Sequence, residues 1–361
     1  MNHVLKVAHY FITESDVESF SILRSGHIND TFLIKTTTGK HFVLQKLNPV
    51  VFKHIEGLIS NKVLVSEHLK KSGSPYKTVQ FIKTKTKKFF YKDEFNEYWM
   101  LMNYIQDSRV HKFAANSEMV YEAGKLYGDF IKRCSSLDAH KLIEILPNFH
   151  SMPFRYDQFE TALKQANEDT KNLAIEEIEF AKRLKEDMHQ VSILKAKNTF
   201  PVRVTHNDAK LSNILFDKND QGLAVIDLDT VMPGITAYDF GDSIRSICAT
   251  TQEDESNLEA TQIHMGFYKA FCEGFAENTR QSLTINEIES LPLGAKTITF
   301  TQGLRFLTDF LNGSIYYKTE YETHNLVRAR NQFKLVESIQ ENYVTMEQLT
   351  KEIFNVSPNE E

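Results

Sequence analysis

Short apolar runs separated by polar turns follow the first twenty residues of the chain. In 22–48 two polar clusters, which contain Gly26 and Gly39, break these runs, a pattern typical of consecutive antiparallel strands. Two more strands are predicted within 77–105. The segment upstream, residues 1–20, is predicted to form a helix.

A helical period interrupts this strand-like region at residues 53–71. Apolar residues recur there at intervals of three and four, with one lysine in the same series, and Gly73 follows the last of them. The series consists of Ile55, Leu58, Ile59, Lys62, Val65 and Leu69. The first hundred residues therefore predict a small sheet with one helix packed on it.

From about residue 107 the periodicity becomes helical. Ser117 is the predicted N-cap of a helix with one apolar face. That face consists of Val120, Ala123, Leu126, Tyr127 and Phe130. Residues 155–195 and 255–350 are mostly helical in pattern as well, whereas 198–230 is rich in strand-like segments.

This change of pattern predicts an α+β protein of two lobes. Residues 1–103 form the predicted N-terminal lobe, a small antiparallel sheet with a helix, and residues 104–361 form the predicted C-terminal lobe, which is mainly helical. A chain of 361 residues is long enough for two such units.

Polar side chains are concentrated in the strand-rich part of the second lobe. His206, Asp208 and Asn213 lie in the run THNDAKLSNILFD, and a polar turn separates this run from a second strand that ends at Asp227 and Asp229. A hairpin of the two strands, residues 204–230, would bring Asp227 beside Asn213 and near Asp208. Magnesium prefers such oxygen ligands and usually takes one or two from protein when the substrate carries phosphates. The pattern therefore predicts a magnesium site, the alternative being a polar hairpin whose side chains cap turns.

Composition narrows the function classes. The formal net charge of −6 argues against general nucleic-acid binding, which requires a basic surface. No apolar run reaches the length of a membrane span, and the first residues lack the segments of a signal peptide. Cys134, Cys248 and Cys272 are widely spaced, which favours buried thiols in a reducing cytoplasm over a disulfide framework or a zinc site. We expect a cytoplasmic protein that is a monomer or a weak dimer.

The spacing of the polar run resembles a known catalytic loop. His206, Asp208 and Asn213, followed by a strand ending at Asp227, resemble the corresponding residues of protein kinases and their small-molecule relatives. A literal Asp-Phe-Gly begins at Asp239, 31 residues after Asp208 against 19 for Asp227. We therefore interpret Asp227 as the metal ligand, and Asp239 as a helix cap or a support of the catalytic loop. This order resembles the aminoglycoside phosphotransferase and choline kinase superfamily, which implies a bilobal protein-kinase-like fold.

Within that superfamily the chain resembles N-acetylhexosamine 1-kinases from about residue 20 to 335. The motifs that carry the resemblance are GHINDTF (26–32), VLQKLN (43–48), THNDAKLSNILFD (205–217), VIDLDTVMPG (225–234), YDFGDSIR (238–245) and GLRFLTDFLNGSIYYK (303–318). Those enzymes use ATP to phosphorylate the anomeric hydroxyl of N-acetylglucosamine or N-acetylgalactosamine. The resemblance implies the same reaction here, with ATP, Mg²⁺ and a small sugar as ligands.

The resemblance also implies a role for each residue of the polar run. Asp208 would orient the sugar 1-hydroxyl and take its proton, while Asn213 and Asp227 would hold magnesium across the ATP phosphates. Asp229 would bind a second ion or only a neighbouring donor. His206 would pin the loop through hydrogen bonds rather than shuttle protons.

The ATP site would lie between the two lobes. The strand FVLQKL would carry the lysine that pairs the phosphates, and alignment places either Gln45 or Lys46 in that position. Strand alternation does not choose between them, because both faces of the strand contain apolar residues. Glu67, on the helix that follows, would be the partner acid. The adenine slot would be lined by backbone groups of Met102, Asn103 and Tyr104.

For the sugar, the resemblance implies contacts from His27, Arg305 and Tyr316. His27 would reach down from the turn of the first lobe. Arg305 and Tyr316 are eleven residues apart, about three helical turns, so we expect one helix to present both on one face. Arginine can donate to sugar oxygens, and tyrosine can cover an apolar ring face or bond a hydroxyl.

Two other functions remain open from the sequence. A kinase of a cationic alcohol such as choline or an aminoglycoside needs clustered carboxylates, which the run TQEDESNLEA (251–260) offers, although such runs are usually solvated helix faces and Arg305 would repel a cation. A nucleotide-binding pseudokinase is supported only by the uncertain lysine. The sequence does not distinguish the two sugar epimers.

Overall fold

The structure is a computed structural model that describes residues 3–12, 17–23 and 28–356. The strands are β1 (Val17–Ile22), β2 (Asp30–Thr36), β3 (His41–Leu47), β4 (Phe81–Ile82), β5 (Tyr91–Lys92), β6 (Tyr98–Asn103), β7 (Arg203–Thr205), β8 (Ile214–Phe216), β9 (Gly222–Val225) and β10 (Met232–Gly234). The helices are α1 (His3–Ala8), α2 (Ile55–Lys71), α3 (Ser117–Cys134), α4 (Met152–Gln165), α5 (Glu168–Leu173), α6 (Ile175–Arg183), α7 (Lys185–Met188), α8 (Gln190–Ala196), α9 (Thr236–Ile247), α10 (Met265–Thr279), α11 (Ile285–Glu289), α12 (Leu291–Leu311), α13 (His324–Glu341) and α14 (Tyr343–Phe354). The predicted fold class, an antiparallel sheet followed by a mainly helical region, is confirmed.

Strands β1 to β6 form one antiparallel sheet. Their order is β1-β2-β3-β6-β4, and β5 also pairs with β6. The central strand β3 places Gln45 opposite Thr31 on β2 and Met100 on β6. The segment 77–105 contributes three strands instead of the predicted two, because the two-residue β4 and β5 both pair with the long β6.

The two faces of this sheet carry different helices. Leu44 and Trp99 pack with α1 residues in one apolar cluster, whereas Leu47 and Met100 pack with α2 residues in another. Successive side chains of a strand point to opposite faces. Lys46 therefore lies on the α1 face of the sheet, and its neighbour Gln45 lies on the α2 face.

The prediction of a helix over residues 1–20 is wrong. Helix α1 ends at Ala8, and Val17–Ile22 forms β1, which pairs with β2 along its length. A local sequence pattern contains no information on the hydrogen bonds and packing that an edge strand gains from its neighbour.

The N-cap of α3 is displaced by one residue from the predicted Ser117. The Asn116 side chain accepts a hydrogen bond from the Met119 amide at 2.9 Å, and Ser117 begins the helix.

Most of the C-terminal helices pack around α3, α9, α10 and α12. The predicted apolar face of α3 is buried throughout. Where α9 crosses α12, a Cβ at Gly241 would collide with the carbonyl of Gly294. The crossing therefore requires glycine at the third position of the literal Asp-Phe-Gly, and Phe240 beside it is fully buried. This close contact fixes the helix that carries Asp239.

Two small antiparallel sheets hold the polar run in place. Strand β7 pairs with β10, and β8 pairs with β9 with Ile214 opposite Val225. The predicted hairpin is therefore present, although the strand ends at Val225 and residues 228–230 form a 3-10 turn instead of continuing it. The whole assembly lies over the largest apolar cluster, to which α3, α9 and α10 contribute.

The three cysteines are buried and free, as predicted. Within the described ranges, none of the helices combines the length and the apolar character that crossing a membrane requires.

Candidate functional site

The polar run forms a tight loop between β7 and β8 that Asp239 supports from below. The Asp239 carboxylate accepts hydrogen bonds from the backbone amides of His206 at 2.7 Å and Asn207 at 2.6 Å. Asn207 has a left-handed backbone, with φ of 62°. Burial raises the pKa of Asp239 to about 6, against the opposing effect of His206 and the two amides. Of the two roles predicted for Asp239, this geometry corresponds to support of the loop.

His206 is fully buried beneath this loop. Its Nε2 pairs with the Ile226 carbonyl at 2.9 Å, and its own carbonyl accepts a hydrogen bond from the Thr230 hydroxyl at 2.6 Å. The edges of Tyr127 and Phe130 surround the ring. These contacts tie the loop to the end of β9, a structural arrangement that leaves the ring remote from solvent.

Asp208 lies half-buried at the surface of the loop. Its Oδ2 accepts hydrogen bonds from Asn213 Nδ2 at 2.8 Å and pairs with Lys210 Nζ at 2.8 Å. Burial works to raise the pKa of Asp208, but the Lys210 charge and the hydrogen bonds outweigh it and hold the pKa below its ordinary value. The carboxylate is therefore ionised at neutral pH and able to accept a proton.

Asp227 follows the hairpin and lies next to Asn213. The Ile226 amide donates to the Asn213 carbonyl at 2.9 Å, and Asp227 itself has a left-handed backbone with φ of 62°. Desolvation, followed by the negative charges of Asp229 and Asp208, raises the pKa of Asp227 to about 7. Among the described residues, its carboxylate has no hydrogen-bond or ion-pair partner.

These two side chains fit a magnesium ion. The Asn213 Nδ2 donates to the Asp208 carbonyl and carboxylate, both at 2.8 Å, so its Oδ1 is the atom left for another ligand. The Asp227 carboxylate lacks a partner and lies among like charges, which a cation would neutralise. Amide and carboxylate oxygens are suitable ligands for this ion.

Asp229 is engaged with side chains of the N-terminal region instead of being free. Its Oδ1 contacts Lys62 Nζ of α2, and its Oδ2 accepts a hydrogen bond from Asn29 Nδ2. Asn29 belongs to the turn GHIND and also accepts a hydrogen bond from the Asn48 amide at 2.8 Å. Of the two predicted roles for Asp229, the binding of neighbouring donors is the one present here.

Strand β3 and helix α2 do not place Lys46 beside Glu67, the lysine and acid expected at the ATP phosphates. Lys46 Nζ pairs with Asp30 at 3.0 Å and Glu97 at 3.2 Å, on the sheet face away from α2. Glu67 is exposed and has no ion pair among the described residues. This geometry does not bring Lys46 and Glu67 together, and their predicted roles at the phosphates stay predictions. Gln45 lies on the α2 face of the sheet, and its Oε1 accepts a hydrogen bond from Lys62 Nζ at 2.7 Å.

The predicted adenine slot lies where β6 ends. Asn103 is fixed by two hydrogen bonds with Gln80, at 2.6 and 3.0 Å, and partly buried Met102 and Tyr104 flank it. A surface cavity of about 390 Å³ adjoins Asn103 and Tyr104. It opens towards residues 69–80 and does not include the catalytic loop.

Arg305 and Tyr316 are brought together, but not by one helix as predicted. Helix α12 ends at Leu311, and the chain then turns through Gly313 with φ of 84°. The Tyr316 amide donates to Asp309 Oδ1 at 2.9 Å, which folds the turn back. The Arg305 guanidinium lies 6.0 Å from the Tyr316 ring and 5.5 Å from the Tyr317 ring. Tyr316 is 62% exposed and so is available to a ligand.

His150 and Arg155, which sequence reasoning missed, lie near Arg305, and His150 also lies near the loop that carries Asp208. Burial, then the charges of Arg305 and Arg155, lower the pKa of His150 to about 3, while the neighbouring Asn207 backbone and Asp208 act in the opposite direction. Burial and Arg305 likewise lower the pKa of Arg155 to about 10. His150 is therefore uncharged, and it is close enough to Asp208 and to both arginines for their charges to act on it. No motif signals these residues in the sequence: His150 lies in the irregular segment before α4, and Arg155 lies in the first turn of α4.

His27 lies outside the described residues, so its predicted contact with the sugar stays a prediction.

The sequence of residues 19–275 matches the Phosphotransferase enzyme family, designated APH, which covers well over half of the chain. The chain belongs to this family.

Solved structures of kinases share the fold of this phosphotransferase. An amicoumacin kinase, hAmiN, in complex with AMP-PNP, Ca²⁺ and Ami aligns with a TM-score of 0.60 and 10% identity, over 98% of this chain and 93% of that chain. A spectinomycin phosphotransferase in complex with ADP and spectinomycin gives 0.60 and 13%, over 95% and 97%. A choline kinase from Cryptosporidium parvum Iowa II gives 0.57 and 12%, over 98% and 99%. At these identities the likeness establishes the fold.

Proposed function

We propose that this phosphotransferase uses ATP and magnesium to phosphorylate the anomeric 1-hydroxyl of an N-acetylhexosamine. Membership of the phosphotransferase family supports the reaction type, and solved relatives of the same fold hold ADP or an ATP analogue with a divalent cation. The observation that carries the choice of acceptor is the surface beside Asp208, where two arginines, a neutral histidine and tyrosines lie in place of free carboxylates.

In this proposal Asp208 binds the acceptor hydroxyl and accepts its proton. Its lowered pKa keeps it ionised, and the Asn213 amide and Lys210 ammonium hold one of its oxygens in place. Such positioning matters because phosphoryl transfer needs orientation and charge stabilisation more than covalent help from the protein.

Asn213 and Asp227 would hold the magnesium ion, which would neutralise negative charge on the ATP phosphates. Their position on either side of the hairpin end is enforced by the hydrogen bond between the Ile226 amide and the Asn213 carbonyl. Asp239 and His206 keep this loop in position from beneath. Gln45 and Lys62, which are hydrogen-bonded to each other, would form the opposite side of the nucleotide site.

The acceptor site would be formed by Arg305 and Tyr316, with Arg155 and His150 behind them. A neutral sugar offers hydroxyl and acetamido oxygens to an arginine and an apolar ring face to a tyrosine. The Tyr316 ring is exposed, whereas the nearby Tyr317 ring packs on Phe306 with centroids 4.7 Å apart. Tyr316 is therefore the ring of the pair that a ligand can cover.

A kinase of a cationic alcohol is the second candidate, since choline kinase shares the fold. One carboxylate of the acidic run that would support it is already engaged, since Glu253 contacts the Arg245 guanidinium. The pseudokinase alternative is weakened by the presence of all three residues Asp208, Asn213 and Asp227.

We further propose that residues 1–103 and 104–361 act as two lobes around the nucleotide, and that the protein is a cytoplasmic monomer or weak dimer. Size-exclusion chromatography with light scattering measures the oligomeric state directly.

Phosphorus NMR of the reaction product tests the proposed function. With N-acetylglucosamine, ATP and Mg²⁺, we expect a phosphorus signal coupled to the anomeric proton. A panel of N-acetylgalactosamine, glucose, choline and an aminoglycoside, under the same conditions, measures the acceptor class. Turnover of choline or the aminoglycoside in preference to the amino sugars would overturn the proposal, as would a product phosphorylated at another hydroxyl.

A further inference from the structure

We propose that Lys62 of helix α2 supplies the ammonium group that binds the ATP phosphates, in place of a lysine on strand β3. The inference rests on the proposed use of ATP and identifies which residue grips the nucleotide. In kinases the phosphate-pairing lysine belongs to the third strand and is held by a glutamate of the following helix. Here the helix provides the cation and the strand provides the acceptor, Gln45.

The placement of Lys62 carries this inference. Its side chain is 2% exposed, which is rare for lysine, and its Nζ lies between strand β3 and the turn of residues 228–230 that follows the catalytic hairpin. Nζ donates to Gln45 Oε1 at 2.7 Å and contacts Asp229 Oδ1.

No other described lysine of the first lobe takes this position. Lys46 lies on the opposite face of the sheet, where Asp30 and Glu97 neutralise it at 3.0 and 3.2 Å. Lys210, in the second lobe, is paired with Asp208 at 2.8 Å. Of these three lysines, Lys62 is the one that faces both the strand position expected to bind phosphate and the ligands of the proposed ion.

The chemistry of the contacts leaves Lys62 able to bind a phosphate oxygen. An ammonium group has three N–H donors, and Gln45 and Asp229 account for two of them. Gln45 orients the group without adding negative charge, which a glutamate in its place would do.

Binding of Mg²⁺-ADP by isothermal titration calorimetry tests the inference without requiring turnover. Lys62→Met is expected to weaken binding by at least about tenfold, since it removes a charge-assisted hydrogen bond. Lys46→Met is the matched control, a lysine of the same lobe on the other sheet face, and is expected to bind within about twofold of the unaltered protein. Melting temperatures of both variants, measured by circular dichroism, show whether each is folded.

Because Lys62→Met leaves Asp229 without its cation and could prevent folding, an exchange variant provides the second test. Lys62→Gln alone should lose Mg²⁺-ADP affinity, and the double variant Gln45→Lys with Lys62→Gln should recover most of it by restoring a cation from the strand. Three results would overturn the inference. They are a folded Lys62→Met protein with unaltered Mg²⁺-ADP affinity, a loss of affinity in Lys46→Met as large as that in Lys62→Met, and an exchange variant that folds but does not recover affinity. Normal Mg²⁺-ADP binding that depends on Lys62, without phosphorylation of any amino sugar, would instead overturn the proposed acceptor and leave this inference standing.

Discussion

Replacing Asp239 by alanine separates support of the catalytic loop from metal binding. The change leaves two buried backbone amides, those of His206 and Asn207, without acceptors. Each such donor costs about 1–3 kcal/mol, so we expect a loss of about 2–6 kcal/mol of folding free energy when the carboxyl is protonated. The effect should appear as a lower melting temperature, while Mg²⁺-ADP binding should remain within a few-fold of the unaltered protein because Asp227 and Asn213 are retained.

The pH dependence of this loss has a defined sign. The folded pKa of Asp239, about 6, lies above the ordinary value of 3.8, so its contribution to stability is full below pH 3.8 and is lost as pH rises through about 6. About one pH unit of the interval from 3.8 to 6 lies above pH 5. A difference of one unit in pKa corresponds to about 1.4 kcal/mol of folding free energy. We therefore expect Asp239→Ala to be more destabilising at pH 5 than at pH 8 by about that amount, the reverse of what a carboxylate with a lowered pKa would give.

Thermal melts at both pH values and calorimetric Mg²⁺-ADP titration measure the two effects, with Asp227→Ala as the comparison variant. Asp227→Ala should abolish metal-dependent nucleotide binding while the protein stays folded. The reasoning fails if the two variants behave the other way round, so that Asp239→Ala eliminates metal-dependent binding at an unaltered melting temperature and Asp227→Ala retains it.

Three further predictions concern the loop, the acceptor site and helix packing. Asp208→Asn should retain Mg²⁺-ADP affinity and lower kcat by about 10²–10⁴-fold in a coupled ADP-release assay, because it removes the proton acceptor; a near-normal kcat would exclude that role. Arg305→Ala and Tyr316→Ala should each raise the KM for N-acetylglucosamine by about tenfold without changing the KM for ATP, whereas Arg183→Ala, which removes an exposed arginine from the Phe180 ring, should change neither. Gly241→Ala should cost about 1–3 kcal/mol in thermal melts because its Cβ meets the backbone of α12, and an unaltered melting temperature would show that the two helices can separate freely.

The order of chemical groups along the chain was predictable from the sequence. Asp208 and Asn213 lie in a polar run flanked by apolar strands, and Asp227 follows the next strand, so a short antiparallel hairpin brings the three together. The series from Ile55 to Leu69 predicted a buried helix face, which α2 has. These features depend on local spacing, so they need no knowledge of distant residues.

Other features depend on contacts between segments far apart in the sequence. Residues 17–22 form a strand because β2 offers a partner. Arg305 meets Tyr316 because Asp309 folds the chain back after α12, and His150 reaches the site from a segment without a recognisable motif. Periodicity within one element carries no information on such contacts.

The hydrogen-bonded pair of Gln45 and Lys62 shows most clearly which features the sequence determined and which the tertiary structure decided. The sequence by itself determined that a strand with a Gln-Lys pair precedes a helix with one lysine in its apolar stripe, because alternation and helical period are properties of neighbouring residues. Only the tertiary structure decided that α2 covers the face of Gln45 while α1 covers the face of Lys46. Both faces of β3 are apolar enough to be buried, so the side on which each helix packs, and with it the lysine that enters the cleft, is set by long-range packing.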